Sequence, residues 1–498
     1  MIKNIKKVLI ANRGEIALRI IRSIKELGIK SVAVFSEVDR TAPHVLAADE
    51  AVCLGGNTAA ESYLDIQKIL NIAKELNIDA IHPGYGFLSE NADFAQKVED
   101  AGIIFIGPSA SSIQIMGSKI EAKNTVKAYN IPLVPGIDEA TQDLDVIRPK
   151  INEIGFPLLI KASAGGGGKG MRIVETEEEF EEQLERAISE AKAAFGDGTV
   201  FVEKYITSPK HIEFQILADK HGNVVHLFER ECSIQRRHQK VIEEAPSIFL
   251  DEKLRAEMGK CAVDVAKSCN YVGAGTVEFI MDSNKNYYFL EMNTRLQVEH
   301  AVTEEITDVD LVKEQIKVSD GHPLSFTQDD LKINGHAIEI RVYAEDSENG
   351  FMPDTGTLST YQIPQGYGTR VDDGYQEGND VSIYYDPMIS KLIVRADNRD
   401  NAIDKALRSI DEYIIAGVKT TLPFASFAIN HEAFRTGNFD TNFISKYYSK
   451  DSLKQTMEND EEFIASGIAG LLFNEENKNI ETQHQTEGTV NKWKTRAK

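Results

Sequence analysis

Between Lys7 and Ile106 the apolar residues keep changing their period, and this alternation constrains the fold more than any other feature. KVLIA (Lys7–Ala11), Ser31–Phe35, Ala80–Ile81 and Ile103–Ile106 are short, near-continuous apolar runs of strand length. Between them, Ile16, Ile20, Ile24 and Leu27 recur at helical spacing over Gly14–Leu27, with Gly28 as the stop, and Ile66–Leu76 and Ala92–Glu99 read as helices. Strands that alternate with helices must return through crossovers, so residues 1–115 are predicted to form an open parallel α/β domain. A chain of 498 residues has room for about three domains. Its net charge of −23 argues against nucleic acid or an anionic membrane as partner. Cys53, Cys232, Cys261 and Cys269 form no CxxC pair, which fits a reducing cytoplasm rather than zinc or disulfide chemistry. No apolar run approaches a membrane span, and Val8–Ala11 is too short for a secretory signal.

The pattern then changes. Leu158–Ala162 and Met171–Val174 read as strands either side of a glycine run. A charged helix follows to about Ala194, with Thr176 as N-cap and Glu179 completing a capping box, and then the strand Thr199–Val202. From Tyr205 to about Asp330 strands and helices mix. From Gly335 short strands and turns dominate, with one helix near Ala402–Tyr413. The expected organisation is an α/β domain (1–115), a central domain (116–330) with a lid at about 132–203, a mainly β domain (331–447) and a polar tail (448–498); the whole is α+β. The tail's apolar patch Phe463–Phe473 is a candidate docking helix.

Four segments carry chemistry. In Lys161-Ala-Ser-Ala-Gly-Gly-Gly-Gly-Lys169-Gly170 the glycines run from strand to strand, which excludes a dinucleotide-binding loop, and Gly170 rather than Ser or Thr follows Lys169, which excludes a P-loop. Bare amides and Lys169 suit a flap over phosphates; a flexible linker is the plainer alternative. The runs GTVEFIM (275–281) and YYFLEMN (287–293) read as a hairpin centred on Asn284-Lys285. That register sets Glu278 opposite Glu291 with Asn293 on the same face, an oxygen-donor set for Mg2+ unless both carboxylates are solvated. Arg295, Gln297 and Glu299 would share one face if extended, placing a cation, an amide and a base beside that set. Gln235-Arg-Arg-His-Gln-Lys240 concentrates positive charge in an acidic chain, either for small anions or to pair with Glu229, Glu231, Glu243 and Glu244. Glu339 and Arg341 share a strand face, where the arginine could steady an oxyanion or form a structural ion pair.

Together LIANRGEIALRI, HPGYGFLSEN, MGSK, KASAGGGGKGMR, HIEFQ, ERECSIQRRHQKVIEEAP, EMNTRLQVEHAVTE and GHAIEIRVYAED resemble the biotin carboxylase family of ATP-grasp enzymes over about residues 1–447. One departure is Ala164, where the family's glycine run often has a fifth glycine. The resemblance implies ATP binding by Lys119, Lys161, Gly166, Gly167, Glu203, Lys204, Tyr205, Ile206, His211, Gln235 and His238. It assigns two Mg2+ or Mn2+ ions to Glu278, Glu291 and Asn293, and bicarbonate to Lys240, Arg295, Gln297 and Val298. Glu299 would be the general base, Arg341 would stabilise the enolate-like biotin, and Tyr85 and Gly86 would lie near the biotin ring. No Ala-Met-Lys-Met biotinylation motif occurs, so the expected partners are a separate biotin carrier protein and a carboxyltransferase, within a homodimer or larger complex. The alternatives are another ATP-grasp ligase, against which the Arg295/Gln297/Glu299 row argues, and an inactive scaffold in a carboxylase complex, against which the filled catalytic positions argue.

Overall fold

The computed structural model describes residues 2–137, 141–163, 171–237, 239–453 and 468. Residues 1–448 form one compact unit and 449–498 another. The Phe463–Phe473 patch lies outside the described residues apart from Ile468, as do Gly166, Gly167, Lys169 and His238. Among the described residues no helix is long and apolar enough to cross a membrane.

The alternation at the start becomes a five-stranded parallel sheet. Its strands are β1 (Lys7–Ile10), β2 (Lys30–Phe35), β3 (Glu50–Cys53), β4 (Ala80–His82) and β5 (Ile104–Phe105), in the order β3-β2-β1-β4-β5. Val8, Leu9, Ile10, Val32, Ala33 and Val34 are wholly buried, as expected of a sheet covered on both faces. Helix α1 (Gly14–Glu26) lays Ile16, Ile20 and Ile24 on it.

The strands β6 (Leu158–Ala162), β7 (Met171–Val174) and β8 (Val200–Lys204) form a small antiparallel sheet, ordered β7-β6-β8, with the helix Glu177–Phe195 across it. Thr176 is the N-cap of that helix, but no capping box forms. Its hydroxyl serves the Glu178 carboxylate, and three acidic side chains in the first turn already suit the positive end of the helix.

The site is built on an eight-stranded antiparallel sheet. Its strands include β9 (Lys210–Ala218), β10 (Val224–Arg236), β11 (Gln239–Ala245), β12 (Gly273–Met281), β13 (Tyr287–Asn293) and β14 (His336–Tyr343). The order runs β13-β12-β9-β10-β11-β14 and continues through the strands Met388–Ala396 and Thr369–Asp373. The sheet is thus continuous from the carboxylate hairpin to residues beyond 331.

The C-terminal part is sheet-rich, as expected, but it carries more helix than periodicity indicated. Besides Arg399–Asp411, helices span Leu422–Asn430, Glu432–Arg435 and Phe443–Tyr447. LPFASFAIN buries Leu422, Phe424, Ala425, Ala428 and Ile429, so it is apolar nearly all round and offers no helical stripe to read.

Candidate active site

The hairpin opposes Glu278 and Glu291, with Thr276 across from Asn293. The turn is centred one half-step away from the expected position: Met281 pairs Tyr287 and Phe279 pairs Phe289, and a bulge between Glu278 and Phe279 on the pairing restores the expected opposition. Glu278 is buried while Glu291 reaches solvent. Although Glu291 reaches solvent, the protein crowded around its carboxyl, then the neighbouring Glu278 charge, holds that carboxyl above its ordinary value. A cation between them would relieve that repulsion, and three hard oxygen donors fit a small divalent ion. Two tighter clusters of possible ligands, His211/Glu213/Glu278 and Glu213/Cys232/Glu299, also exist. Both clusters include Glu213, whose carboxylate already has its counter-ions in Lys240 and Arg230.

Lys240, buried on β11, is the hub. Its Nζ donates to Glu299 Oε1 at 2.6 Å, Glu278 Oε1 at 3.1 Å, Gln297 Oε1 at 3.2 Å and also to Glu213. On the other side of Glu299, Arg341 Nη2 donates to Oε2 at 3.0 Å, while its Nε holds Glu243 Oε1 at 2.6 Å. Burial pushes the Glu299 carboxyl up, but Lys240, Arg341 and Arg230 outweigh it and hold it well below the ordinary range, so it is ionised at neutral pH. Glu243 differs: burial carries it to about 7 despite Arg341. Arg230, itself wholly buried, braces Glu213 at 2.5 Å and Gln215 at 2.7 Å.

The segment Arg295–Glu299 is not the extended row expected. It leaves β13 as irregular chain and turns into the helix His300–Thr307, with Glu299 at the N-cap (φ −80°, ψ 13°). Gln297 and Glu299 converge on Lys240, whereas Arg295 bridges Glu90 Oε2 (Nε, 2.8 Å) and Asn293 Oδ1 (Nη2, 3.3 Å). Glu339 and Arg341 form no pair: Arg341 takes Glu243 and Glu299, and both Glu339 oxygens lack hydrogen-bond partners. Arg236 pairs with Glu345.

Two clefts open on this cluster. One, of about 510 Å³, is lined by Lys161, Glu203, Lys204, Tyr205, Ile206, His211 and Gln235, with apolar walls including Leu159, Ile173 and Ile280. Glu203 is gripped by Lys161 at 2.6 Å and by Lys123. Lys204 directs its ammonium to the carbonyls of Gly155 and Phe156, at 3.0 and 2.6 Å. Lys119 opens the helix Lys119–Lys127 and does not line this cleft. The second cleft, of about 550 Å³, is lined by Tyr85, Gly86, Arg295, Val298 and Arg341, with Tyr384 and Tyr385. Asn12 braces it by donating to the carbonyls of Pro83 and Tyr85, each at 2.7 Å. The buried Tyr85 hydroxyl has no hydrogen-bond partner. A chain of contacts joins the clefts: His211 to Glu278 (2.8 Å), Glu278 to Lys240, Lys240 to Glu299, and Glu299 to Arg341.

Sequence reasoning missed Lys123, Glu90, Glu213, Arg230 and Asn12. Glu213 alternates with Ile212 and Phe214 along β9 and Arg230 sits between Glu229 and Glu231 on β10; both lie inside the HIEFQ and ERECSIQRRHQK motifs without a role attached to them. Asn12 and Glu90 lie inside matched motifs without a role attached to them.

Three family models match: "Biotin carboxylase, N-terminal domain" over 4–113, "Carbamoyl-phosphate synthase L chain, ATP binding domain" over 118–327 and "Biotin carboxylase C-terminal domain" over 339–446. The chain is 50% identical to biotin carboxylase 2 of Bacillus subtilis over 441 residues, 89% of this chain and 99% of that protein. It is also 50% identical to the alpha chain of the mitochondrial propionyl-CoA carboxylase of Sus scrofa over 473 residues, 95% of this chain and 65% of that longer protein. Among solved structures, the Campylobacter jejuni biotin carboxylase superposes with a TM-score of 0.85 at 46% identity, covering 89% of this chain and 99% of that one. The biotin carboxylase domain dimer of the Hydrogenobacter thermophilus 2-oxoglutarate carboxylase, solved with MgADP, ADP and bicarbonate, gives 0.84 at 48% identity, covering 90% and 98%. The matched models and this identity across nearly the whole chain establish that it belongs to the biotin carboxylase family of ATP-grasp ligases.

Proposed function

We propose that the chain carboxylates biotin held on a carrier protein, using ATP and bicarbonate, as the first half-reaction of an acyl-CoA or pyruvate carboxylase. The observation that carries this reading is the unbroken line of polar side-chain contacts from His211 in one cleft to Arg341 in the other. Bicarbonate is a poor electrophile, so it must be activated where ATP and biotin both reach. Lys240 and Gln297, with Arg295 and the Val298 backbone, bind bicarbonate; Glu299 accepts its proton. The oxyanion attacks the γ-phosphate of ATP, giving ADP and carboxyphosphate, which breaks to CO2 and phosphate. The phosphate takes the biotin N1′ proton, and the ureido nitrogen attacks CO2 while Arg341 stabilises the enolate-like oxygen. The same cations that lower Glu299 also stabilise the deprotonated bicarbonate, so the weak base has less to do.

Lys119, Lys161, Glu203, Lys204, Tyr205, Ile206, His211, Gln235, His238 and the amides of Gly166 and Gly167 are assigned to ATP. Glu278, Glu291 and Asn293 would hold Mg2+ or Mn2+, which when bound neutralises phosphate charge. Tyr85 and Gly86 flank biotin. The domains are 1–115, 116–330 and 331–447, with a tail at 448–498. The protein works in the cytoplasm as a homodimer or larger complex with its carrier and a carboxyltransferase, which selects the final acceptor. The dimer named in one relative's structure and the family's ligands support this.

The test is ATP hydrolysis with Mg2+ and bicarbonate, with and without free biotin. A biotin-dependent rise that disappears in Glu299→Gln is the expected result. Turnover indifferent to biotin would point to another ATP-grasp ligase.

A further inference from the structure

Lys391 has no exposed surface, yet the reaction as proposed above gives it no task. It sits on the strand Met388–Ala396, directly across from Arg341 on one side and Asp372 on the other. Two cations directly opposed on a sheet repel each other, so their retention calls for a reason. The reason lies in what they grip. Arg341 donates to the Glu299 side chain at 3.0 Å, and Lys391 Nζ donates to the Val298 carbonyl, one residue earlier, at 2.6 Å. Adjacent cross-strand cations thus hold one loop, one by its carboxylate and the other by its backbone. A third hold comes from His300, whose Nδ1 lies 2.8 Å from the Gln297 carbonyl. The ammonium is balanced from several elements: Glu15 on α1 at 3.5 Å, Asp372 at 3.9 Å, and Glu339 on β14, with Arg370 as the opposing cation.

Glu299 occupies an N-cap yet makes no capping hydrogen bond. An N-cap side chain ordinarily satisfies the free amides of the first helical turn. Here the carboxylate is directed instead to Lys240 and Arg341. We propose that Lys391 is a positioning residue for carboxylation: by fixing the Val298 carbonyl it sets the backbone from which Glu299 presents its carboxylate to bicarbonate and not to its own helix. The inference rests on the reading of Glu299 as the base. Loss of the hold displaces the base and the Val298 amide together, so the effect falls on bicarbonate and not on ATP.

The experiment uses the full chain with Mg2+, free biotin and varied ATP or bicarbonate, comparing Lys391→Met, Lys391→Arg and Glu299→Gln, with a thermal melt of each. Lys391→Met is expected to melt cooperatively and lose about 100-fold in kcat/KM for bicarbonate, the scale of a misplaced reacting group, with the KM for ATP within about twofold. Lys391→Arg, which keeps charge and donor, is expected to recover part of that loss. Wild-type bicarbonate kinetics in Lys391→Met beside an inactive Glu299→Gln would overturn this inference alone. Wild-type kinetics in Glu299→Gln would overturn the reading beneath it. Should Lys391→Met fail to fold, Lys391→Arg carries the same comparison. Failure of both to fold would assign the lysine to stability and overturn the positioning role.

Discussion

At the scale of the residue, the site depends on unequal sharing of charge. Lys240 serves three buried carboxylates, Glu213, Glu278 and Glu299, so removing it takes a counter-ion from each and leaves Glu213 to Arg230 and Glu299 to Arg341. Breaking a buried pair by deleting one partner typically costs about 3–5 kcal/mol. Lys240→Met should lower unfolding free energy by about that much, measured by denaturant titration. Adding Glu213→Gln should restore part of the stability without restoring activity, because the surviving Glu299 still lacks the bicarbonate-binding cation. Arg341 makes a different demand: Nε and Nη2 hold two carboxylates at once, a geometry that a single ammonium cannot copy. Arg341→Lys and Arg341→Met should both lose about 10²–10³-fold in biotin-dependent kcat, the scale of one oxyanion donor, with the KM for ATP little changed in steady-state assays.

At the scale of the element, the hairpin shows why local pattern sufficed for some of the site. Period-two alternation fixed which faces Glu278 and Glu291 occupy, and that survived an error in the turn because the bulge compensated for it. The loop after Asn293 was less legible. Nothing in TRLQVEH distinguishes an extended strand from a turn entering a helix, so the shared face was expected although Arg295 joins Glu90 and Asn293 while Gln297 and Glu299 join Lys240. Partners such as Glu213 and Glu243 were illegible for a different reason: they meet Lys240 and Arg341 across strands far apart in the chain. Among the helices beyond 421, Leu422–Asn430 escaped because it is apolar on most faces, and Glu432–Arg435 and Phe443–Tyr447 because they are too short to show a period. The turn itself offers a test. Lys285 sits at φ +67°, a left-handed conformation that costs an ordinary residue roughly 1–2 kcal/mol. Lys285→Gly should therefore stabilise the chain by about 0.5–1 kcal/mol after glycine's greater loss of freedom, read as a rise in denaturation midpoint with activity unchanged.

At the scale of the whole molecule, buried ionisable groups set how stability follows pH. Burial carries Glu15, Glu231 and Glu243 each to about 7. An unfolded glutamate ionises near pH 4.3, so around neutrality the folded chain binds more protons than the unfolded one at these sites. Their contribution is complete below the unfolded value and is lost as pH rises through about 7. His44 and His226, lowered to about 4, and His82, lowered to about 3, all chiefly by burial, act in the opposite sense. They are neutral in the fold, so their contribution is present above the unfolded value near 6.5 and is lost as pH falls below it. Asp372, whose burial is outweighed by Arg370 and Lys391, stays ionised throughout this range and does not shift the balance. Three groups of each kind nearly cancel just below pH 6.5, so stability should pass through a broad maximum between about pH 5 and 6 and fall towards alkaline pH. Moving from pH 8 to 6.5 should add about 2 kcal/mol from the three glutamates, offset by about 1 kcal/mol from the three histidines, a net rise in Tm on the order of 1 °C in a chain of this size. Glu243→Gln should flatten part of that rise in a melting series, since the amide stays neutral at every pH, and a slope left unchanged would place the titrating protons elsewhere.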